Sequence, residues 1–420
     1  MDVPGIAASE ARSSFTIMLA YWLVQFAAWL ALLTPLVITI ALKLNVIAGE
    51  AGKAGWLGII LGVGAAAAMV SAVIWGAVSD RTQSRMGRRK PWIIGGSLAL
   101  LGGLTIMAAA TTPLIFGLGW LVCQIGSNAA QAALNAVISD VIPEKNHGIM
   151  SALLGASITA AMITGVFISQ FTSGSYYTMF LVPWLASPLA IAYFFVVVPD
   201  APSQKAALER LTLNTLFASI GLATLRHRDF AWAFTSRFLV MFGATFAMTY
   251  QVYFLMDRLH VAAADVARFM VLSTSLMGGL SFVVSCGAGW LSDRLRRRKP
   301  FVIFAAALMA LGLLGIAVSR DFNQFLVAIA FTSVGQGLYF AVDLALCVEV
   351  LPDRSDAARD MAVLQIANSL PQSLAPAIAP LLLAISLGGV AGANFFALFI
   401  FASSLAVCGA MAILPIRGVR

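Results

Sequence analysis

Gly76-Ala-Val-Ser-Asp80-Arg81-Thr-Gln-Ser-Arg85-Met-Gly87-Arg88-Arg89-Lys90-Pro91-Trp92 is a dense basic cluster set between two long apolar runs. It reads as the chain leaving one apolar helix, turning, and entering another. The pattern returns as Gly289-Trp-Leu-Ser292-Asp293-Arg294-Leu-Arg296-Arg297-Arg298-Lys299-Pro300-Phe301. From Gly76 to Gly289 is 213 residues, close to half of the 420-residue chain. A repeat at that separation in a membrane chain is the mark of two similar helical bundles.

Composition supports the membrane setting. Hydrophobic residues make up 60% and charged residues 10% of the chain, and the mean hydropathy is +0.93. These values exclude an ordinary soluble domain. The apolar runs are long enough to cross a hydrocarbon core of roughly 30 Å as helices. They are apolar all round, unlike the alternating strands of a barrel. The predicted fold is therefore all-α, with twelve transmembrane helices in two pseudo-symmetric six-helix bundles. The spans are expected near 15–42, 54–79, 92–110, 113–141, 147–170, 176–198, 230–256, 265–291, 301–319, 323–350, 360–387 and 391–415. The first bundle is then 1–198 and the second 230–420, joined by a polar cytoplasmic loop at 199–229. The first run reads as a retained span and not as a signal peptide.

Charge sets the expected orientation. With both termini in the cytoplasm, Lys43, Lys53, Arg258, Arg268 and Arg320 fall outside and Arg237 falls within a span. The rest of the 26 Lys and Arg are then inside, as the positive-inside rule requires. The net charge of +8 is thus topogenic and calls for no nucleic acid. A monomer in the cell (inner or plasma) membrane is expected. Cys123, Cys286, Cys347 and Cys408 all lie in apolar runs, with no metal-type spacing, and are expected to be inert buried thiols. No nucleophile–base pair or phosphate-cradling Gly-x-x-x-x-Gly-Lys-[Ser/Thr] stretch is present, so neither an enzyme nor an ATP-driven pump is indicated. No cofactor or metal is expected.

The repeated loop implies gating. Gly76 and Gly289 permit close helix approach, and Asp80 and Asp293 end their spans where a carboxylate meets a helix N-terminus or an Arg. Arg81, Arg88 and Arg294 complete the predicted rim set.

These residues resemble the loop signature of the major facilitator superfamily. The second copy is similar to its weaker repeat, with Arg296 where the family usually has Gly. Four extra residues between Asp80 and Gly87 make the first copy resemble the glycoside–pentoside–hexuronide:cation symporters and related sucrose transporters. Gln25-Phe26 with Leu32-Leu33-Thr34-Pro35, and Asn128-x-x-Gln131 with Asp140, are similar to the first and fourth helices of sucrose carriers. The resemblance implies a secondary transporter of a small polar solute, a sugar or glycoside, by alternating access. The departures are specific. Ala68 and Ala72 stand where melibiose-type relatives carry sodium-binding acids, and Asn135 stands where plant sucrose carriers carry Arg. A rival reading is a proton-coupled exporter of amphipathic or aromatic compounds.

The candidate substrate groups are Trp22, Gln25, Trp29, Asn128, Gln131, Asn135, Tyr250, Gln336, Tyr339, Gln365 and Asn368. Asn128, Gln131 and Asn135 follow i, i+3, i+7 spacing, as do Gln365, Asn368 and Gln372, so each set is one stripe of a helix. Amides on such stripes bind hydroxyl-rich solutes, or else join helices together. Trp22 and Trp29 offer an aromatic platform. Asp343 is the candidate proton-coupling group, since an unpaired carboxylate at that depth must pair or protonate. Arg237 can pair with an acid, bind an anionic substrate, or snorkel to the interface. Pro371, Pro376 and Pro380 are expected to interrupt the eleventh helix.

Overall fold

The computed structural model of the chain describes residues 4–82, 84, 86–142, 146–198, 222–295, 298–350, 357–385 and 393–416. Among them the structure is helical throughout, because hydrocarbon offers no partner to an unsatisfied backbone group. Eleven helices are long and apolar enough to cross a membrane, and a twelfth, Phe395–Met411, is apolar but shorter. In chain order they are α1 (Phe15–Ile47), α2 (Gly49–Arg81), α3 (Lys90–Ala109), α4 (Pro113–Val141), α5 (His147–Thr172) and α6 (Tyr176–Val197). There follow α7 (Arg228–Arg258), α8 (Val266–Leu295), α9 (Lys299–Val318), α10 (Phe322–Glu349), α11 (Ala357–Leu383) and α12 (Phe395–Met411). Of the expected connecting loop, 199–221 lies outside the described residues.

Two compact units result. One comprises Met1–Gly49 with Ala66–Leu211, and the other Glu50–Ala65 with Thr212–Arg420. Helix α2 therefore contributes its first half to the second unit and its second half to the first.

Small residues set the packing inside each unit, since lipid supplies no hydrophobic drive between helices. In the first, α3 lies against α4. A Cβ on Gly96 would sit 2.5 Å from the Gly126 carbonyl oxygen, and one on Gly103 2.6 Å from that of Gly119. In the second, α9 meets α10 in the same way, with Gly312 against Ala328 and Thr332 and Gly335 against the Ala305 carbonyl. Gly103 corresponds to Gly312, and Gly126 to Gly335, at an offset of 209 in both cases. The offset upstream of the loop is 213, so the extra four residues of the first loop account for the difference. A further pair repeats. Lys90 at the start of α3 donates to the Phe195 carbonyl of the unit's last helix, and Lys299 at the start of α9 donates to the Ile416 carbonyl beyond α12.

Prolines shape two helices. Pro35 sits inside α1, which widens there into a π turn at Pro35–Thr39. Contrary to the expected interruption, helix α11 runs continuously through Pro371, Pro376 and Pro380. The reason is that a neighbour meets the freed backbone. Pro380 cannot donate to the carbonyl four residues earlier, that of Pro376, and the buried Tyr250 hydroxyl on α7 donates to it instead at 3.3 Å. The Ala54 carbonyl of α2 stands 3.4 Å from the same hydroxyl.

That contact belongs to a longer seam in the second unit, where the first half of α2 lies on α7 and α11. Lys53, 3% exposed, pairs with Glu50 at 2.5 Å and with Asp257 at 2.7 Å, and its ammonium lies over the Tyr253 ring. One turn on, a Cβ on Gly58 would stand 2.2 Å from the Pro376 carbonyl oxygen, whereas one on Gly55 would meet nothing within 4 Å. All four cysteines are free. Cys123 and Cys347 are buried as expected, but Cys286 and Cys408 are exposed.

The seam yields a test. Gly58→Ala is expected to lower stability by about 1–3 kcal/mol, the cost of overpacking a rigid contact. Gly55→Ala should be neutral or slightly stabilising. Thermal unfolding of the two purified variants in detergent checks this, and equal melting temperatures would refute the close approach.

Candidate functional site

In the first unit the candidate groups gather on α1 and α4. The Tyr21 hydroxyl donates to the Leu134 carbonyl at 3.0 Å, tying α1 to α4. Gln25, one turn along and 1% exposed, donates from Nε2 to the Tyr21 hydroxyl at 2.9 Å. Its Oε1 has no protein partner, and neither do the buried Nε1 of Trp22 and Nε2 of Gln131. Buried polar atoms are rarely left without a partner, so three of them on two neighbouring helices need an acceptor or donor from elsewhere. The Trp22 ring stacks on Phe26 at 5.4 Å, which holds it against rotation. Trp29 is partly buried, Asn128 donates back to the Gln124 carbonyl of its own helix, and Asn135 is exposed.

In the second unit the predicted residues form a connected file. Arg237, nine residues into α7, sends a guanidinium nitrogen to Oδ2 of Asp343 on α10 at 2.9 Å. Its Nε donates to Oδ1 of Asn368 on α11 at 2.8 Å, and it also reaches the Cys347 sulfur at 3.7 Å. Asn368 in turn donates to Oε1 of Gln365 at 3.2 Å. The file runs from exposed Gln365 to buried Asp343, whose side chain is 6% exposed against 12% for Arg237. Pairing thus replaces the snorkelling alternative for Arg237, and of the two outcomes open to Asp343, pairing or protonation, the structure has the pair. The Tyr339 hydroxyl, one turn before Asp343, is fully buried beside that carboxylate. Gln336 is partly buried one turn further back, and Gln372 shares the exposed stripe of α11 with Gln365. Tyr250 is engaged by the α2 and α11 carbonyls described above.

An exposed Gln on a membrane helix cannot face hydrocarbon cheaply. The stripe Gln365, Ser369 and Gln372 therefore marks a watered surface of α11.

At the rim, Asp80 pairs with Arg89 at 2.7 Å, and Arg89 also donates to Ser79 at 2.9 Å while itself 4% exposed. Gly87 takes φ +103°, a left-handed turn that favours glycine. The Trp92 indole donates to Thr82 at 2.6 Å and packs on Trp75 at 4.8 Å. Arg81 donates to the Ala77 carbonyl of its own helix, and Gly76 has open space around it. Arg88 is partly buried. In the second copy Gly289, like Gly76, has open space where a Cβ would stand, so among the described residues neither glycine makes the close helix approach expected of it; Arg294 is exposed, and the side chain of Asp293 lies outside the described residues.

Sequence reasoning placed Lys53 only as a charge outside the membrane, did not single out Asp257, and missed their pairing. A cavity of about 600 Å³ adjoins that pair, lined by Glu50, Lys53, Tyr253, Asp257, Arg258 and His260 and holding none of the predicted substrate groups. The i, i+3 spacing of Glu50 and Lys53 could have signalled their own helical pair, but not the pairing with Asp257.

Comparison with known proteins agrees on one architecture. The sequence model of the Major Facilitator Superfamily matches residues 17–288 and 272–419. A solved nucleoside transporter, a point-substituted form of NupG, has a similar fold, with a TM-score of 0.76 over 96% of this chain and 99% of that one, at 14% identity. A D-xylose–proton symporter gives 0.72 over 97% and 98%, at 16% identity. In sequence, the chain is 31% identical to the staphyloferrin B transporter of Staphylococcus aureus (strain NCTC 8325 / PS 47) over 165 residues. That match spans 39% of this chain and 37% of that protein.

Removing one partner of a buried ion pair leaves an uncompensated charge and costs about 3–5 kcal/mol, whereas removing both is often neutral. Arg237→Met and Asp343→Leu should therefore each destabilise strongly, and the double variant should recover most of the loss. A double-mutant cycle of thermal unfolding reads the coupling directly, and additive effects would exclude a coupled pair.

Proposed function

Given that the chain belongs to the major facilitator superfamily and is a secondary transporter, we propose that it carries a small polar solute, a sugar or glycoside, coupled to protons. The observation that carries the coupling is Asp343. Among the described residues it is the one acidic side chain that is buried, and it lies beside a single cation, Arg237. Such a carboxylate can be neutralised by its ion pair or by a proton. Switching between the two states ties proton movement to rearrangement of α7, α10 and α11.

The polar-solute reading is supported by unpartnered Trp22 Nε1, Gln25 Oε1 and Gln131 Nε2, a mixed set of donors and acceptor beside an aromatic ring. Hydroxyl groups, each donor and acceptor, match that set. Asn128 and Asn135 continue that set along α4, and within the second unit Gln336, Gln365 and Asn368 offer further amides. The names of the D-xylose–proton symporter and the nucleoside transporter are compatible with a hydroxylated solute, and the likeness to them concerns the fold. The charge asymmetry of the loops supports cytoplasmic termini.

Asp343→Asn keeps a hydrogen-bonding side chain beside Arg237 while mimicking the protonated acid. It is expected to abolish accumulation driven by a pH gradient while preserving exchange of solute across the membrane. Proteoliposome uptake and counterflow separate the two, and continued accumulation would move the proton path elsewhere.

At the rim, the proposed gate rests on Asp80 and its pair with Arg89. Asp80→Asn should reduce turnover several-fold and leave solute affinity within about twofold, since a gate acts on the conformational step. Wild-type initial rates at equal expression would leave the loop a topological role alone.

A further inference from the structure

We propose that the solute carries a carboxylate, which takes the place of Asp343 on Arg237 when Asp343 is protonated. The inference rests on the proton-coupled reading above and narrows its substrate class to acids of the same polar kind.

In the structure Arg237 and Asp343 neutralise one another at 2.9 Å. A proton on Asp343 removes that compensation and leaves a guanidinium whose side chain is only 12% exposed. A buried unpaired charge costs several kcal/mol, so the protonated state recruits an anion. A neutral solute would not relieve the cost. A carboxylate would, since the planar guanidinium binds it through two parallel N–H donors.

Geometry supplies the seat. Of the five guanidinium N–H groups, the described contacts to Asp343, Asn368 and Cys347 occupy three, which leaves donors for an incoming oxygen. The Tyr339 hydroxyl is buried and stands among Asp343, Cys347 and Arg237, at the point where an incoming carboxylate would replace that of Asp343. The file reaches the exposed Gln365 through Asn368, so a ligand arriving along the watered face of α11 meets amides first and Arg237 last. The ionisable groups facing Asp343 are Arg237 from α7 and Tyr339 and Cys347 from its own helix. From α11 comes the neutral Asn368, and α8 and α9 add none among the described residues.

The proton balance is simple. One proton from water on the loading side adds to a carboxylate oxygen of Asp343, and no bond in the solute changes. On release the proton leaves and Asp343 displaces the solute carboxylate from Arg237. One proton and one carboxylate together move no net charge, whereas a proton with a neutral sugar moves one.

The full-length protein, purified and reconstituted, is tested with matched pairs of monocarboxylates: glucuronate and glucuronamide, lactate and lactamide, N-acetylglycine and its amide. Glucose, sucrose and methyl glucosides serve as neutral sugars. Thermal shift is expected to show at least one carboxylate binding about tenfold or more tightly than its amide, and more tightly at lower pH. Uptake of that acid should follow an imposed pH gradient and ignore a valinomycin potassium potential. Asp343→Asn should keep the binding and lose its pH dependence, while Arg237→Gln should lose the preference for carboxylate. The wild-type comparison stands even where Arg237→Gln fails to fold. The proposal is overturned if no carboxylate outperforms its amide or the neutral sugars. A neutral sugar accumulating on a pH gradient would then leave the carrier reading intact and remove only this one. Carboxylate selection indifferent to pH overturns the exchange and the proton coupling together.

Discussion

Backbone against backbone is the contact on which each unit depends. Lipid does not drive helices together, so association relies on dispersion between surfaces that approach closely. Gly96 and Gly103 on α3 face Gly126 and Gly119 on α4 with no room for a Cβ, and the second unit repeats the arrangement at Gly312 and Gly335. These seams give α3–α4 and α9–α10 fixed rotations about their axes. The side chains elsewhere on the same helices inherit their directions from that packing, including Asp343 on α10 and the amide stripe on α4.

The second unit carries a connected set of polar groups on α7, α10 and α11. Arg237, Asp343, Asn368 and Gln365 come from three helices and satisfy one another in sequence. Such a network is costly in stability compared with an apolar core, and its retention points to use. The proline-rich α11 belongs to the same logic. Its freed Pro376 carbonyl is met by Tyr250, so the helix stays continuous while its backbone bonds partly to a neighbour. A helix held this way has fewer internal hydrogen bonds resisting a bend.

At the basic loop, the longer first copy is explained by its contacts. Thr82 and Trp92, both within the extended motif, hydrogen-bond one another, and Trp75 closes on Trp92. Gly87 provides the left-handed turn that returns the chain to α3. Beyond that turn, Arg89 meets Asp80.

Length, hydropathy and the duplicated Gly-x-x-x-Asp-Arg determined the helical class, the span positions and the family, because crossing hydrocarbon constrains composition residue by residue. The amide stripes on α4 and α11 were likewise legible, since helical spacing alone puts i, i+3 and i+7 on one side. Partnership was not legible. Arg237 had three possible fates in sequence, and only the rotation of α7 against α10 and α11 decided that it meets Asp343 and Asn368. The same holds for Tyr250 on the Pro376 carbonyl and Lys53 on Asp257. A side chain's partner is set by helix rotation and register, which small-residue packing fixes in three dimensions. Hydropathy along the chain carries no record of either.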